Sequence, residues 1–400
     1  MSDIERTVPP LLDRSLRPDR SSDDAPPSRT NRIQQIGDAM TAVDDPTAPR
    51  IAVVGATGAV GGTLLELVED HRLRYRALHL IASARSAGRE IRVDGRDHPV
   101  HDVAGFDFSR ADVAFFFAGA DVSRRWAPLA AAAGALVVDG SRAFRLAEDV
   151  PLVVPGVNDA LLRRRPARGL VAGPGAATVA LVRVLAPIVR RWAVRRVVVS
   201  TYQPASEAGH SGIEELQEGT RARLQDPQTA LPAETFSPPL AFDVLTGDGG
   251  ADGDGDGEGD GDGDGEGAGE FTAQERGLRD ETRRVLGLPE LDLTATCVRV
   301  PVVNGQCAAV WVDCAAAVDR TELIALLRSA PGVTVHDGAA GATPTPATLG
   351  DPDRVHVGRI RVSPADPTGF WLWLVADNLR GGAALNAVQV LGGLTAHGTL

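Results

Sequence analysis

Apolar and polar positions alternate in blocks along the chain. The run 51–54 is continuously apolar, as in a strand buried on both faces. Glycines follow it, and then residues 63–70, where Leu64, Leu65, Leu67 and Val68 share one helix face. Residues 77–82, 113–117 and 135–138 predict further short buried strands, and the alanine-rich stretch 124–133 predicts a helix. Strand and helix in alternation from residue 51 to about 140 predict an α/β domain, a Rossmann-type doubly wound parallel sheet. After Val171 the pattern changes: a helix over 178–192, a β-branched strand at 194–201 and strands at 295–302 and 308–313 predict a second, α+β domain.

Two segments interrupt this pattern. Residues 1–48 hold six prolines among serines and charges, a composition that cannot offset the entropy of ordering, so a disordered tail is expected. Met40 lies just before the first strand, and translation can start there or at Met1. Residues 247–270 consist of 12 glycines, 10 acidic residues and two alanines, which predicts a flexible, self-repelling linker. An EF-hand calcium loop does not fit. From Asp252 to Glu266 every acid has an even number, so the twelfth position of any such loop is a glycine instead of the bidentate glutamate.

Composition narrows the chemistry. All 41 basic residues are arginine. Without lysine there is no Schiff base, no pyridoxal phosphate aldimine and no complete phosphate-binding P-loop. The net charge of -12 suggests an acidic protein, but the insert contributes -10 and the tail -3, which leaves about +1 for the folded part. Nothing in that balance points to nucleic acid. At 43% hydrophobic the chain can bury a core, and with 4% aromatic residues that core must rest on Ala, Val and Leu. Cys297, Cys307 and Cys314 fit neither a disulfide framework nor a metal site. There is no signal segment and no apolar run long enough for a bilayer, so a reduced, cytoplasmic protein is expected.

The first strand runs into Gly55-Ala56-Thr57-Gly58-Ala59-Val60-Gly61 and then a helix, the context a dinucleotide fingerprint requires. Gly55 permits the turn, Gly58 lets backbone approach a pyrophosphate and Gly61 lets helix and strand pack closely, while the helix N-terminus offers N–H groups to the phosphates. After the second strand, where an NAD site carries an acid, the chain reads Ala82-Ser83-Ala84-Arg85-Ser86-Ala87-Gly88. Ser83, Arg85 and Ser86 suit a 2′-phosphate, so NADP is the expected cofactor.

From residue 50 to 393, the acidic insert apart, the chain resembles the aspartate-semialdehyde dehydrogenase family. The motifs that carry the resemblance are the glycine turn 55–61, Ser-Ala-Arg-Ser-Ala-Gly at 83–88, Val-Asp-Gly-Ser-Arg-Ala-Phe-Arg at 138–145 and Val-Pro-Gly-Val-Asn at 154–158. Val-Ser-Thr-Tyr-Gln at 199–203, Thr-Cys-Val-Arg-Val-Pro-Val at 296–302 and Ala-Asp-Asn-Leu-Arg-Gly-Gly-Ala-Ala-Leu-Asn at 376–386 complete the series. The resemblance implies an NADP-binding domain at 49–178 and a substrate and dimerisation domain at 179–365. It also implies a C-terminal helix at 366–400 that returns to the first domain. It further implies roles for Arg145 on phosphate, Arg299 on a substrate carboxylate, Gln203 on the acyl group and Asn378 on the cofactor.

Family members work through a cysteine thioester and a histidine base. Here Gly173-Pro174-Gly175-Ala176-Ala177-Thr178 places Ala176 where the resemblance implies the nucleophile, and Gln306 stands where it implies the base. An alanine methyl forms no thioester, and an amide does not accept a proton near neutral pH. The region before Phe242 is short and lacks the family's lysine. A nucleophile relocated to Cys307 with His210 is one alternative, against a buried strand cysteine and a loop histidine.

The leading expectation is therefore a homologue that binds NADP and a small dicarboxylate but is inactive as a phosphorylating dehydrogenase. It would act as a regulatory or partner subunit, in a homodimer or a mixed dimer with an active paralogue. The alternatives are a working aspartate-semialdehyde dehydrogenase or an NADPH-dependent reductase with a rearranged site. No nucleic acid, membrane or metal partner is expected.

Overall fold

The apolar run after residue 50 forms β1 (Arg50–Val54), whose last four side chains are at most 1% exposed. A strand buried on both faces needs a parallel sheet covered by helices. The chain supplies one: β2 (Ala77–Ala82), β3 (Glu90–Val93), β4 (Arg96–Asp102), β5 (Val113–Phe116), β6 (Leu136–Asp139) and β7 (Leu170–Ala172) join β1 in the order β3-β4-β2-β1-β5-β6-β7. Only the β3–β4 pair is antiparallel. Strand order reverses between β1 and β5, and the crevice beyond their carboxyl ends is where such sheets take ligands. These findings come from a computed structural model that describes residues 47–247, 270–338 and 343–400. The expected disordered tail through residue 46 and the insert residues 248–269 lie outside the described residues.

Helix α1 (Ala59–Asp70) packs Leu64 and Leu67 on one face of this sheet, and α2 (Ala120–Ala132) packs Ala127 and Ala130 on the other. α1 begins four residues before the sequence pattern predicts, because Gly61 and Gly62 read as turn residues yet lie inside the helix.

The second unit is a mixed sheet. Helix α3 (Ala176–Arg191) leads into β8 (Val194–Gln203), α4 (Gly209–Gln225), β9 (Leu245–Thr246), α5 (Ala273–Leu286), β10 (Asp292–Arg299) and β11 (Gln306–Cys314). Then come α6 (Arg320–Arg328), β12 (Val333–His336), β13 (Val355–Val362) and β14 (Gly369–Ala376). The order is β12-β13-β14-β11-β8-β10-β9. α3, α5 and α6 cover one face through Leu181, Leu185, Leu278 and Leu327. The opposite face presents Val198, Tyr202, Trp311, Trp371 and Trp373, with ring pairs Trp311–Trp371 and Tyr202–Trp373 at 5.3 and 5.6 Å. Phe115, Phe116, Phe236 and Phe370 are fully buried, so the scarce aromatics anchor the core alongside Ala, Val and Leu.

The C-terminal segment needs a correction. Its first part is β14, where Phe370, Leu372 and Leu374 alternate inward with Trp371 and Trp373 outward, a period of two that belongs to a strand. The helical return begins only at a π-helical turn, Asn378–Ala384, and continues as α7 (Leu385–Ala396). Leu385, Val390, Leu391 and Leu394 then pack on the first sheet. Among the described residues no helix is long and apolar enough to cross a membrane, and no cluster of three or more His, Cys, Asp or Glu is arranged to hold a metal.

Polar contacts also join the two units. Arg380 donates to Asp353 at 2.6 Å and to Asp70, near the end of α1, at 2.8 Å, while the His71 ring meets Asp353 at 3.0 Å. Burial alone would raise the Asp353 carboxyl, but hydrogen bonds from His71 and Arg380 outweigh it and hold the group below the usual carboxylate range. A depressed carboxyl contributes stability above its unfolded pKa near ~4 and loses that contribution as pH falls through the folded value. Arg380→Ala should thus cost about 1–3 kcal/mol near neutrality. Urea unfolding should show the deficit shrinking as pH is lowered from 6 toward 3, and a deficit independent of pH would contradict this account.

Candidate functional site

The turn after β1 has the shape of a phosphate cradle. Gly55 has φ +89°, and a Cβ there would lie 2.4 Å from the Phe117 carbonyl oxygen; one on Gly61 would lie 2.1 Å from that of Gly55. Helix and strand approach so closely that only glycine fits. The N-cap of α1 is Gly58, which offers no side-chain cap, and the first turn holds no acid. Its N–H groups therefore remain available to an anion. Thr57, Ala59 and Val60 line this turn and are partly exposed. Beyond β2, the Ser86 N–H closes a turn on the Ser83 carbonyl at 2.9 Å; Ser86 is buried, whereas Ser83 and Arg85 are exposed. The residues present fit a dinucleotide, with phosphates on the 55–61 turn and the adenine ribose near 83–86.

At the carboxyl end of the second sheet, register brings the other expected residues together. Gln203 ends β8 beside Arg299, its partner at the end of parallel β10. Gln306 opens antiparallel β11, where Cys307 pairs with Tyr202, and on its other side Gln306 pairs with Ala376. Asn378 follows two residues later. Ala176 begins α3, and the turn carrying Asn378 closes on it, since a Cβ at Gly382 would lie 2.5 Å from the Ala176 Cβ.

Several of these side chains are already engaged. Arg145 donates to the Gly173 and Gly140 carbonyls at 3.1 and 2.9 Å and to Glu281 at 3.1 Å. The Glu281 carboxylate also accepts from the Gly175 N–H at 2.7 Å and the Thr178 hydroxyl at 2.8 Å, so it caps the N-terminus of α3 from a distant element. Asn378 is buried; its amide donates to the Ser206 hydroxyl oxygen at 3.0 Å and its carbonyl accepts from the Gly305 N–H at 3.1 Å. Asn304 in turn donates to Asp377 at 3.0 Å, a carboxyl that burial pushes above its ordinary value.

Gln306 is 4% exposed, and its Oε1 and the Thr201 Oγ1 are buried without hydrogen-bond partners. Both residues line a small cavity that Ala177, Leu181, Leu278, Leu374 and Cys307 also border. Cys307 is also buried, and burial pushes its thiol up to about 12, the reverse of activation. Neighbouring strand residues point to opposite faces, so Cys307 alternates away from Gln306. His210 is exposed and lies in the first turn of α4, not in a loop. The structure thus gives no support to a relocated cysteine nucleophile.

Glu281, Glu207, Ser206, Asn304 and Asp377 escape sequence reasoning. Glu281 lies 106 positions from its partner Gly175, and Ser206 172 from Asn378, so only the fold brings them together. The one available signal is Asp377 directly before Asn378, an acid at the N-cap of a helical turn.

Comparison with known proteins agrees with this architecture. Residues 50–164 match the profile of the semialdehyde dehydrogenase NAD-binding domain, and residues 185–258 and 261–381 match that of the semialdehyde dehydrogenase dimerisation domain. Aspartate-semialdehyde dehydrogenase 2 of Vibrio cholerae is 36% identical over 342 residues, 85% of this chain and 96% of that one. The aspartate-semialdehyde dehydrogenase of Legionella pneumophila is 37% identical over 345 residues, covering 85% and 94%. The crystal structure of aspartate semialdehyde dehydrogenase II from Vibrio cholerae superposes with a TM-score of 0.78 at 35% identity, covering 88% of this chain and 99% of that chain.

Glu281→Ala should destabilise the protein by about 3–5 kcal/mol, because it leaves the Arg145 charge and two further donors without their acceptor. Glu281→Gln keeps an acceptor in place and should cost markedly less. Chemical denaturation of both variants checks this, and equal losses would contradict it.

Proposed function

The chain belongs to the aspartate-semialdehyde dehydrogenase family, and on that premise we propose that it is an NADP-binding homologue without the phosphorylating dehydrogenase activity, acting as a regulatory or partner subunit. The observation that carries this reading is the residue pair at the acyl end of the site. Ala176 at the start of α3 bears a methyl group, and Gln306 bears an amide. By the resemblance these are the positions of the nucleophile and the base. Loss of the nucleophile in a covalent enzyme costs on the order of 10⁶ in rate, about 8 kcal/mol of barrier. Binding residues that hold ground state and transition state alike do not restore it.

The chain's own residues support nucleotide binding more strongly than turnover. Gly55, Gly58 and Gly61 shape the cradle, the α1 N-terminus receives phosphate, and Ser83, Arg85 and Ser86, in a stretch 82–88 that holds no acid, meet the adenine ribose. NADP, when bound, supplies hydride exchange. Arg299 and Gln203 stand side by side to receive a carboxylate and an acyl group of a small dicarboxylate. Arg145, by contrast, is committed to Glu281 and two carbonyls, which weakens phosphate binding as well as thioester chemistry.

The apolar outer face of the second sheet, with Val198, Trp311 and Trp371, is the surface on which a second subunit seats. A dimerisation domain is consistent with a homodimer, and the same face suits a mixed dimer with an active paralogue in a reduced, cytoplasmic setting.

A second reading has its own support. Identity of 36% across 85% of the chain with an aspartate-semialdehyde dehydrogenase favours that same activity, or an NADPH-dependent reduction, run through a rearranged site.

One assay separates the readings. Phosphate-dependent NADP reduction with aspartate semialdehyde should be absent in the natural protein and appear in the Ala176→Cys plus Gln306→His double variant, while activity in the natural protein overturns the inactive reading. Cofactor choice is tested by Arg85→Ala. It should weaken NADP binding by about 1.5–3 kcal/mol, the worth of a charge-assisted hydrogen bond, and leave NAD binding unchanged in fluorescence titrations. Equal losses for both would remove the 2′-phosphate assignment.

A further inference from the structure

Arg299 is 5% exposed. Its guanidinium carbon lies 5.5 Å from the centre of the Phe236 ring, and its hydrogen bond to the Pro204 carbonyl is long at 3.4 Å. A buried cation needs an anion. Glu207 provides it: Oε2 lies 3.8 Å from the Arg299 Nη1, and the Glu207 side chain is only 18% exposed.

The position of Glu207 is fixed by its neighbours. It lies in a 3-10 turn, Ala205–Ala208, that follows Gln203 and Pro204. The Ala205 and Ser206 N–H groups donate to the Val302 and Val303 carbonyls at 2.8 and 3.0 Å. The Ser206 hydroxyl meets Asn304 at 3.0 Å and Asn378 at 3.3 Å. The turn is thus tied to the strand end that carries Arg299 and to the turn that closes over Ala176.

We propose that Glu207 is a built-in carboxylate that takes the acceptor position of Arg299 and so decides which anions the site admits. The inference rests on the reading of Arg299 as the residue that would receive a ligand carboxylate. A free carboxylate then cannot simply enter; it must displace the Glu207 side chain. The 3.8 Å separation is well beyond the 2.7–2.9 Å of a tight charge-assisted hydrogen bond. Gly209, with φ +70°, follows the turn and gives the chain a pivot at which Glu207 can swing aside.

The test uses succinate as probe, titrated calorimetrically into the full chain and into Glu207→Gln, Glu207→Ala, Arg299→Ala and the Glu207→Ala plus Arg299→Ala double variant. Circular dichroism confirms that each is folded, and Glu207→Gln keeps the side-chain shape should Glu207→Ala prove unstable. Both Glu207 variants are expected to bind at least about tenfold more tightly than the natural protein, and the double variant to lose the gain. Succinate should also raise the melting temperature of Glu207→Ala more than that of the natural protein, because it refills the vacated acceptor position. Equal affinity in the natural protein and the Glu207 variants, abolished by Arg299→Ala, overturns the proposal and leaves the Arg299 reading standing. Binding that survives Arg299→Ala, or no binding by any folded variant, overturns both.

Discussion

The two sheets meet at the N-terminus of α3, and the Glu281 carboxylate holds that meeting together. β7 of the first sheet delivers the chain into α3, whose buried side chains then form the floor of the second sheet. No local side chain caps the helix, because Gly175 has none to offer. Glu281 reaches in from α5 to accept the Gly175 N–H and the Thr178 hydroxyl, and Arg145 from the first unit neutralises it. Three elements distant in sequence thus share one buried charge pair, with side chains 19% and 6% exposed. Such a pair contributes less by its own attraction than by the penalty for removing either member. It therefore fixes geometry as much as it adds stability, and Ala176, the first residue of the helix, is placed by it.

What could be read in the sequence follows physical range. The parallel sheet was legible because continuous apolar runs alternate with helix-period stretches and each element declares itself within ten or so residues. The nucleotide turn was legible because strand, glycines and helix are contiguous. Where the reading slipped, two local signals competed: glycines inside α1 looked like turn, and β14 was absorbed into an expected helix although its Phe-Trp-Leu-Trp-Leu alternation has a period of two. The partners of Arg145 and Arg299 were not legible at all. Glu281 and Glu207 are ordinary acids in polar stretches, and only folding shows that each meets an arginine assigned to a substrate anion.

Those two encounters give the acyl end of the site a common character. Arg145, expected to face phosphate, faces Glu281, and Arg299, expected to face a carboxylate, faces Glu207. At both arginines to which the resemblance assigns a substrate anion, the chain has brought a carboxylate of its own. The absence of lysine belongs with this, because arginine's fixed fork of donors suits buried pairing with carboxylates and carbonyls, whereas a lone ammonium would leave more of its hydration unreplaced.

The nucleotide end is built from the same device in the opposite state. α1 and α3 both begin at a glycine without a capping side chain, and both lie in the first half of a strand-to-helix passage at the carboxyl edge of the first sheet. At α3 an internal carboxylate accepts the N-cap N–H of Gly175 and the Thr178 hydroxyl. At α1 there is no acid in the first turn, and the glycines bring backbone close enough for a pyrophosphate to take that place. A carboxylate thus stands at the start of α3, while the first turn of α1 carries no acid.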